Sequence, residues 1–132
     1  MAHADSQAGK VALVTGAGRV GLVDYGAYCA SKFGVIGMTQ QLALELARTG
    51  IRVNCVSPGS HDTDMMDGTI GRATDRHQLP DGFYKQQIEE FVPMGRQGDV
   101  SELASEVSFV CSPDASYVTG QTINGDGGAR LD

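Results

Sequence analysis

Tyr28 and Lys32 stand four residues apart in the chain. On a helix that separation stacks two side chains on one face, about one turn apart. An ammonium beside a phenol favours the phenolate form. A phenol poised in this way gives a proton to a carbonyl oxygen or takes one from an alcohol. Any long helix can carry a tyrosine and a lysine at this distance by chance. The surrounding elements therefore decide what the pair is for.

The segment from Tyr28 to Arg48 reads as a helix. Val35, Met38, Leu42 and Leu46 form one apolar stripe, and Phe33, Ile36, Ala43 and Ala47 a second. A helix apolar on two sides is expected to be buried on two sides. Gly50 is a stop signal just past its end. Upstream, Lys10 to Thr15 is a short run rich in valine, continuous rather than alternating, as a buried parallel strand requires. It ends in Gly16-Ala17-Gly18. Glycines directly after such a strand let the backbone approach a phosphate. The full dinucleotide fingerprint then breaks off. Val20 and Leu22 stand where further glycines belong, and Ile36 stands where the ribose-binding acid belongs.

Downstream of the helix, Ile51 to Val56 reads as a strand closed by Ser57-Pro58-Gly59. Strand, long helix, strand is a βαβ unit and predicts a parallel sheet. Ser60 to Gly82 is polar and punctuated by glycine and proline, which predicts a long loop acting as a lid or binding loop. Phe83, Gln87, Ile88 and Phe91 mark a short amphipathic helix. Asp99 and Glu102 have capping-box spacing for another, with Leu103, Val107 and Val110 as its core stripe and Pro113 as its end. A last strand falls within Tyr117 to Ile123 and is closed by Asp126-Gly127-Gly128.

The 132 residues suit one domain, 10–132, behind a flexible tail, 1–9. Ten basic residues against sixteen acidic give a net charge of −6 with no basic stripe. That balance argues against nucleic acid and anionic membrane surfaces as partners. No apolar run approaches the ~20 residues of a membrane span, and the opening ten residues have no signal-peptide core. Cys29, Cys55 and Cys111 lack metal-ligand spacing. Reduced thiols in a cytoplasmic protein without a metal are the simplest account.

The motifs taken together resemble the short-chain dehydrogenase/reductase family, from about Gly26 to Gly128. Tyr28 and Lys32 match its YxxxK pair. Ile51 to Gly59, IRVNCVSPG, is similar to the strand that ends at the nicotinamide. Pro58, Gly59 and Thr63 fit its PGxxxT pattern, and TGQTINGDGG its closing strand and turn. Lys10 to Gly18, KVALVTGAG, is similar to its first strand and glycine turn. The chain has roughly half the family's usual length. The missing part falls between Gly18 and about Gly21. In the family that part carries most of the adenosine site, the residue that selects NAD or NADP, and the catalytic asparagine and serine. Thr15, thirteen residues before Tyr28, stands near the serine's usual offset. It either offers a hydroxyl there or only ends a strand.

The resemblance implies an α/β fold, a half Rossmann-like three-layer domain with a short parallel sheet. Its strands would be Val11 to Thr15, Ile51 to Val56 and about Gln121 to Asn124, joined by two main helices. It implies an oxidoreductase moving hydride between NAD or NADP and a small alcohol/carbonyl substrate. Tyr28 would be the acid/base, with Lys32 and Thr15 beside it. Gly16, Gly18, Lys32, Pro58, Gly59 and Thr63 would contact a weakly held cofactor. Exposed sheet edges and apolar helix faces imply a homo-oligomer, with Phe33, Ile36 or Ala43 in the interface. The alternative is a non-catalytic, shortened module that oligomerises without binding dinucleotide productively.

Overall fold

The structure is a computed structural model that describes residues 10–15, 17–18 and 25–131. The elements run β1 (Val11–Thr15), α1 (Gly26–Leu46), β2 (Arg52–Pro58), α2 (Asp64–His77), α3 (Phe83–Phe91), α4 (Val100–Cys111) and β3 (Thr122–Gly125). Short 3-10 turns follow α1 and α4, at Ala47–Thr49 and Pro113–Ala115. The three strands form one sheet in the order β1-β2-β3. β1 and β2 are parallel, with Val11 opposite Arg52 and Thr15 opposite Val56. The Cys55 N–H donates to the Gln121 carbonyl at 2.9 Å, and four residues on in both segments Gly59 N–H donates to Gly125 at 2.8 Å. That constant offset makes β3 parallel as well. The small parallel sheet with its helices is Rossmann-like, as the motifs predict.

The chain divides into two compact units, Met1–Pro58 with Ser105–Asn124, and Gly59–Ala104 with Gly125–Asp132. The first is built on β2. Val53, Asn54, Cys55 and Val56 are all fully buried there, as a central parallel strand demands. Asn54 is the polar member, and both ends of its amide are satisfied. Its Nδ2 donates to the Val118 carbonyl at 3.0 Å, and its Oδ1 accepts from the Gln121 N–H at 3.1 Å. Around it the Thr119 hydroxyl accepts from Val53 N–H, and Gly120 N–H donates to the Val53 carbonyl. Residues 118–121 are thereby stitched to β2 by side chains as well as backbone.

Helix α1 lies on β2 with one face. Residues 29, 32, 35, 36, 39, 42, 43 and 46 are the half-buried or buried positions, a repeat of three and four. Thr39 and Ala43 are its two fully buried residues, and the Thr39 hydroxyl returns its hydrogen to the Val35 carbonyl at 2.8 Å. Gly50 ends the segment with φ of 77°, the left-handed conformation expected of it.

In the second unit the chain departs from the expected loop. Residues 60–82 contain the fourteen-residue helix α2. The Thr63 hydroxyl accepts from the Met66 N–H at 3.2 Å and caps it. Asp64 and Asp67 occupy its first turn and Arg76 and His77 its last, which complements the helix dipole. Gly68 and Gly71 each cost a helix about 1 kcal/mol and hid this pattern. Among the described residues four α-helices therefore lie between the strands, α2 being the one the sequence did not predict. The capping box of α4 forms as expected. Asp99 Oδ1 accepts from Ser101 N–H at 2.7 Å, and the Glu102 carboxylate accepts from Asp99 N–H at 2.8 Å.

Within the chain α1 is covered on one side only, and its other face is open. Phe33, Met38 and Leu44 are exposed, Leu44 at 84 %. Of the two apolar stripes drawn along the sequence, Val35, Leu42 and Leu46 of one and Ile36 and Ala43 of the other lie on a single inward line through Thr39, while Phe33, Met38 and Ala47 are exposed. Ala43 is covered within the chain, since a β-carbon on Gly120 would stand 3.3 Å from its own. It is therefore unavailable as an interface residue.

Candidate active site

In the first unit α1 carries the two groups that could do chemistry. Tyr28 and Lys32 are one turn apart, and the Lys32 Nζ sits over the Tyr28 ring, 5.1 Å from its centroid. This is cation–π geometry, ammonium against the negative face of the ring. Tyr28 is 53 % exposed, so its phenol is reachable by a ligand. Lys32 is half-buried on the inward stripe. Its stem lies against the turn after β1, where a β-carbon on Gly18 would stand 3.3 Å from the Lys32 Cβ. Among the described residues the Lys32 ammonium makes no hydrogen bond and no ion pair. Its three N–H donors suit a ligand's hydroxyl groups. The turn itself is held to β2 by Ala17 N–H, which donates to the Val56 carbonyl at 3.3 Å.

At the start of α1 the helix is set by backbone rather than by a capping side chain. Tyr25 is the N-cap residue, without a side-chain cap, and its carbonyl accepts from Cys29 N–H at 2.8 Å. The Ser31 hydroxyl donates to the Tyr28 carbonyl at 2.7 Å. Thr15 is the last residue of β1; its side chain and Gly16 lie outside the described residues. Pro58 is the last residue of β2 and needs no ladder donor there.

In the second unit Gly59 meets the turn after β3. A β-carbon on it would stand 2.6 Å from both Cα and Cβ of Asp126. No side chain fits, which gives the glycine of the Pro-Gly turn a physical reason. Thr63 caps α2 with its oxygen, and this leaves its hydroxyl hydrogen free to donate to a ligand carbonyl. His61, which the sequence reading did not single out, is nearly buried at 8 %. Its Nδ1 is 3.2 Å from the Gly59 carbonyl. It forms an isolated parallel bridge with Gly98, on which a β-carbon would collide with the imidazole. A single histidine in a polar stretch carries no periodic signal that could have revealed this.

The cluster of Arg96, Asp99 and Glu102 serves the scaffold. Arg96 holds both oxygens of Glu102, at 2.7 and 2.8 Å. The hydrogen bond from Arg96, reinforced by the Asp99 N–H, pulls the Glu102 pKa down to about 2. The same bond raises Arg96, and hydrogen bonds from Ser101 lower Asp99.

Comparison with known proteins gives this arrangement relatives. The family profile described as Enoyl-(Acyl carrier protein) reductase matches residues 1–130. The sorbitol dehydrogenase of Cereibacter sphaeroides is 40 % identical over 126 residues, covering 95 % of this chain and 49 % of its own length. A short chain dehydrogenase family protein from Francisella tularensis superimposes with a TM-score of 0.85 at 32 % identity, over 92 % of this chain and 51 % of that one. A variant of actinorhodin polyketide ketoreductase, solved with NADPH, superimposes with a TM-score of 0.83 at 37 % identity, over 92 % and 48 %. The chain spans about half the length of the relatives it matches.

Proposed function

The chain belongs to the short-chain dehydrogenase/reductase family, and from that premise we propose that it moves hydride between a nicotinamide dinucleotide and a small alcohol/carbonyl pair. The observation that carries this reading is the half-exposed Tyr28 phenol with the Lys32 ammonium stacked on its ring. When bound, the nicotinamide ring supplies the hydride acceptor or donor, and the chain's own residues handle the proton. In oxidation, deprotonated Tyr28 takes the proton of the substrate hydroxyl as the carbon gives up hydride. In reduction, Tyr28 returns that proton to the carbonyl oxygen.

The N–H donors of Lys32 suit the ribose hydroxyls. The Thr63 hydroxyl and the turn at Pro58 and Gly59 suit the carboxamide, and Gly16 and Gly18 suit the phosphate side. Thr15 is assigned the role of orienting the substrate oxygen. The sorbitol dehydrogenase relative makes a polyol the first substrate to try. The chain is read as a cytoplasmic homo-oligomer.

Turnover with polyols and ketones, followed by reduced-nicotinamide absorbance, tests the proposal. Activity in the parent that is lost in Tyr28→Phe supports it. Equal activity in both proteins overturns it. A second reading, a non-catalytic module that oligomerises, is favoured by the coverage of only 49 % of the dehydrogenase relative. The absence of any turnover, together with the absence of dinucleotide binding, would select it.

A further inference from the structure

Tyr25 has no role in the reading above, yet it touches the residue on which that reading depends. Its ring centroid lies 6.2 Å from that of Tyr28, with the planes at 77°. This is an edge-to-face pair, the arrangement that aromatic quadrupoles favour. Residues 25, 28 and 32 are spaced by three and four, so they succeed one another along one face at the start of α1. Among the described residues Tyr28 thus has two contacts of different kinds, an aromatic ring in edge-to-face contact and an ammonium over its face.

Both rings are more than half exposed, Tyr25 at 57 % and Tyr28 at 53 %. Burial therefore does little to fix the Tyr28 side chain, and among the described residues these two contacts are what orient it. The anchoring of each is visible. Lys32 is pinned at its stem by the turn at Gly18. Tyr25 is pinned through its backbone, whose carbonyl closes the first turn with Cys29 N–H.

We propose that Tyr25 is a positioning residue for Tyr28, holding the phenol ring in the orientation that keeps it against Lys32. The edge of the ring does this, not the Tyr25 hydroxyl. Its consequence for turnover rests on the function proposed above, because a proton donor misplaced by an ångström loses much of its effect. Its consequence for the Tyr28–Lys32 contact does not.

Two variants separate edge from hydroxyl. Tyr25→Phe keeps the edge, and Tyr25→Leu removes it while leaving an apolar side chain. The first readout is NMR of the Lys32 ε-methylene protons, which the face of the Tyr28 ring should shift upfield. Tyr25→Leu should move that signal to the position of an exposed lysine, and Tyr25→Phe should leave it in place. The second readout is kinetic. Tyr25→Leu should lower kcat roughly 2–12-fold, the range an aromatic pair is worth, with KM little changed, while Tyr25→Phe stays near the parent.

An upfield signal retained in Tyr25→Leu overturns the proposal, and so does its loss in Tyr25→Phe. If no variant and no parent turns over substrate, the function reading fails while the Lys32 signal still decides the positioning role. Far-UV circular dichroism controls for folding, which two exposed rings at a helix start should not govern.

Discussion

Gly59 and Asp126 approach so closely that a β-carbon on the glycine would lie 2.6 Å from the Asp126 backbone. The obstacle is main chain and Cβ, not the far end of a flexible side chain, so it cannot swing aside. Gly59→Ala should therefore destabilise the protein by about 1–3 kcal/mol, the usual cost of overpacking. Denaturant unfolding measures this directly. A variant as stable as the parent would show that the turn after β3 yields freely.

Asn54→Leu keeps the volume of the side chain but strands its partners. The Val118 carbonyl retains the Arg52 guanidinium at 3.3 Å, whereas the Gln121 N–H loses its acceptor. One buried donor left unmade costs about 1–3 kcal/mol, and that is the loss expected in thermal or denaturant unfolding. Asn54→Asp should be worse, since the Val118 carbonyl would face a carboxylate.

Acid should loosen the start of α4. The folded-state pKa of Glu102 is lowered to about 2 from its ordinary value of about 4.5. Its contribution is therefore complete above the unfolded value and is lost as pH falls through the window between about 4.5 and about 2. The pair is half exposed, at 49 % for each side chain, so solvent screens it and the effect is modest. Glu102→Gln should flatten the stability profile in that window, and added salt should do so in part. An unchanged profile in the variant would assign acid sensitivity to other carboxylates.

Dinucleotide affinity should be low. The chain aligns with about half of each relative, and several polar contacts worth about 1 kcal/mol each are expected to be missing. A dissociation constant on the order of millimolar follows. Calorimetric titration with NAD, NADP and their reduced forms tests this. A micromolar complex would mean that another subunit completes the site.

Association should use the outer face of α1. Phe33, Gly37, Gln40 and Leu44 follow one line on that face, and both large apolar members are exposed. Sedimentation should show a dimer or larger, and a Phe33→Lys, Leu44→Lys double variant should show a monomer of unchanged fold. A stable monomeric parent would remove the prediction.

What could be read from the sequence follows the strength of local signals. Continuous β-branched runs and the glycine stop placed β1, β2 and the end of α1 within a residue or two. The Asp99–Glu102 spacing placed α4. Helix α2 escaped because two glycines and a polar composition outweigh, to the eye, a cap and paired end charges that become decisive once Thr63 turns its oxygen onto Met66 N–H. The inward face of α1 was split between two stripes because its centre is Thr39, a polar residue that satisfies itself on its own helix. Of the candidate site, Tyr28 and Lys32 were legible because both lie on one helix at fixed spacing. Asn54 and His61 were not, because their partners are set by contacts that no spacing rule encodes.

The stitching of β2 to residues 118–121 also bears on how the chain is made. Asn54 and Gln121 are 67 positions apart. At the usual ~5–20 residues per second of synthesis, β2 emerges roughly 3–13 s before its second neighbour exists. For that interval the most deeply buried of the three strands has only β1 and α1 for cover. Nascent chains should be most exposed to chaperones and proteases between the completion of β2 and the arrival of β3, and slowing translation in that stretch should lower the yield of folded protein.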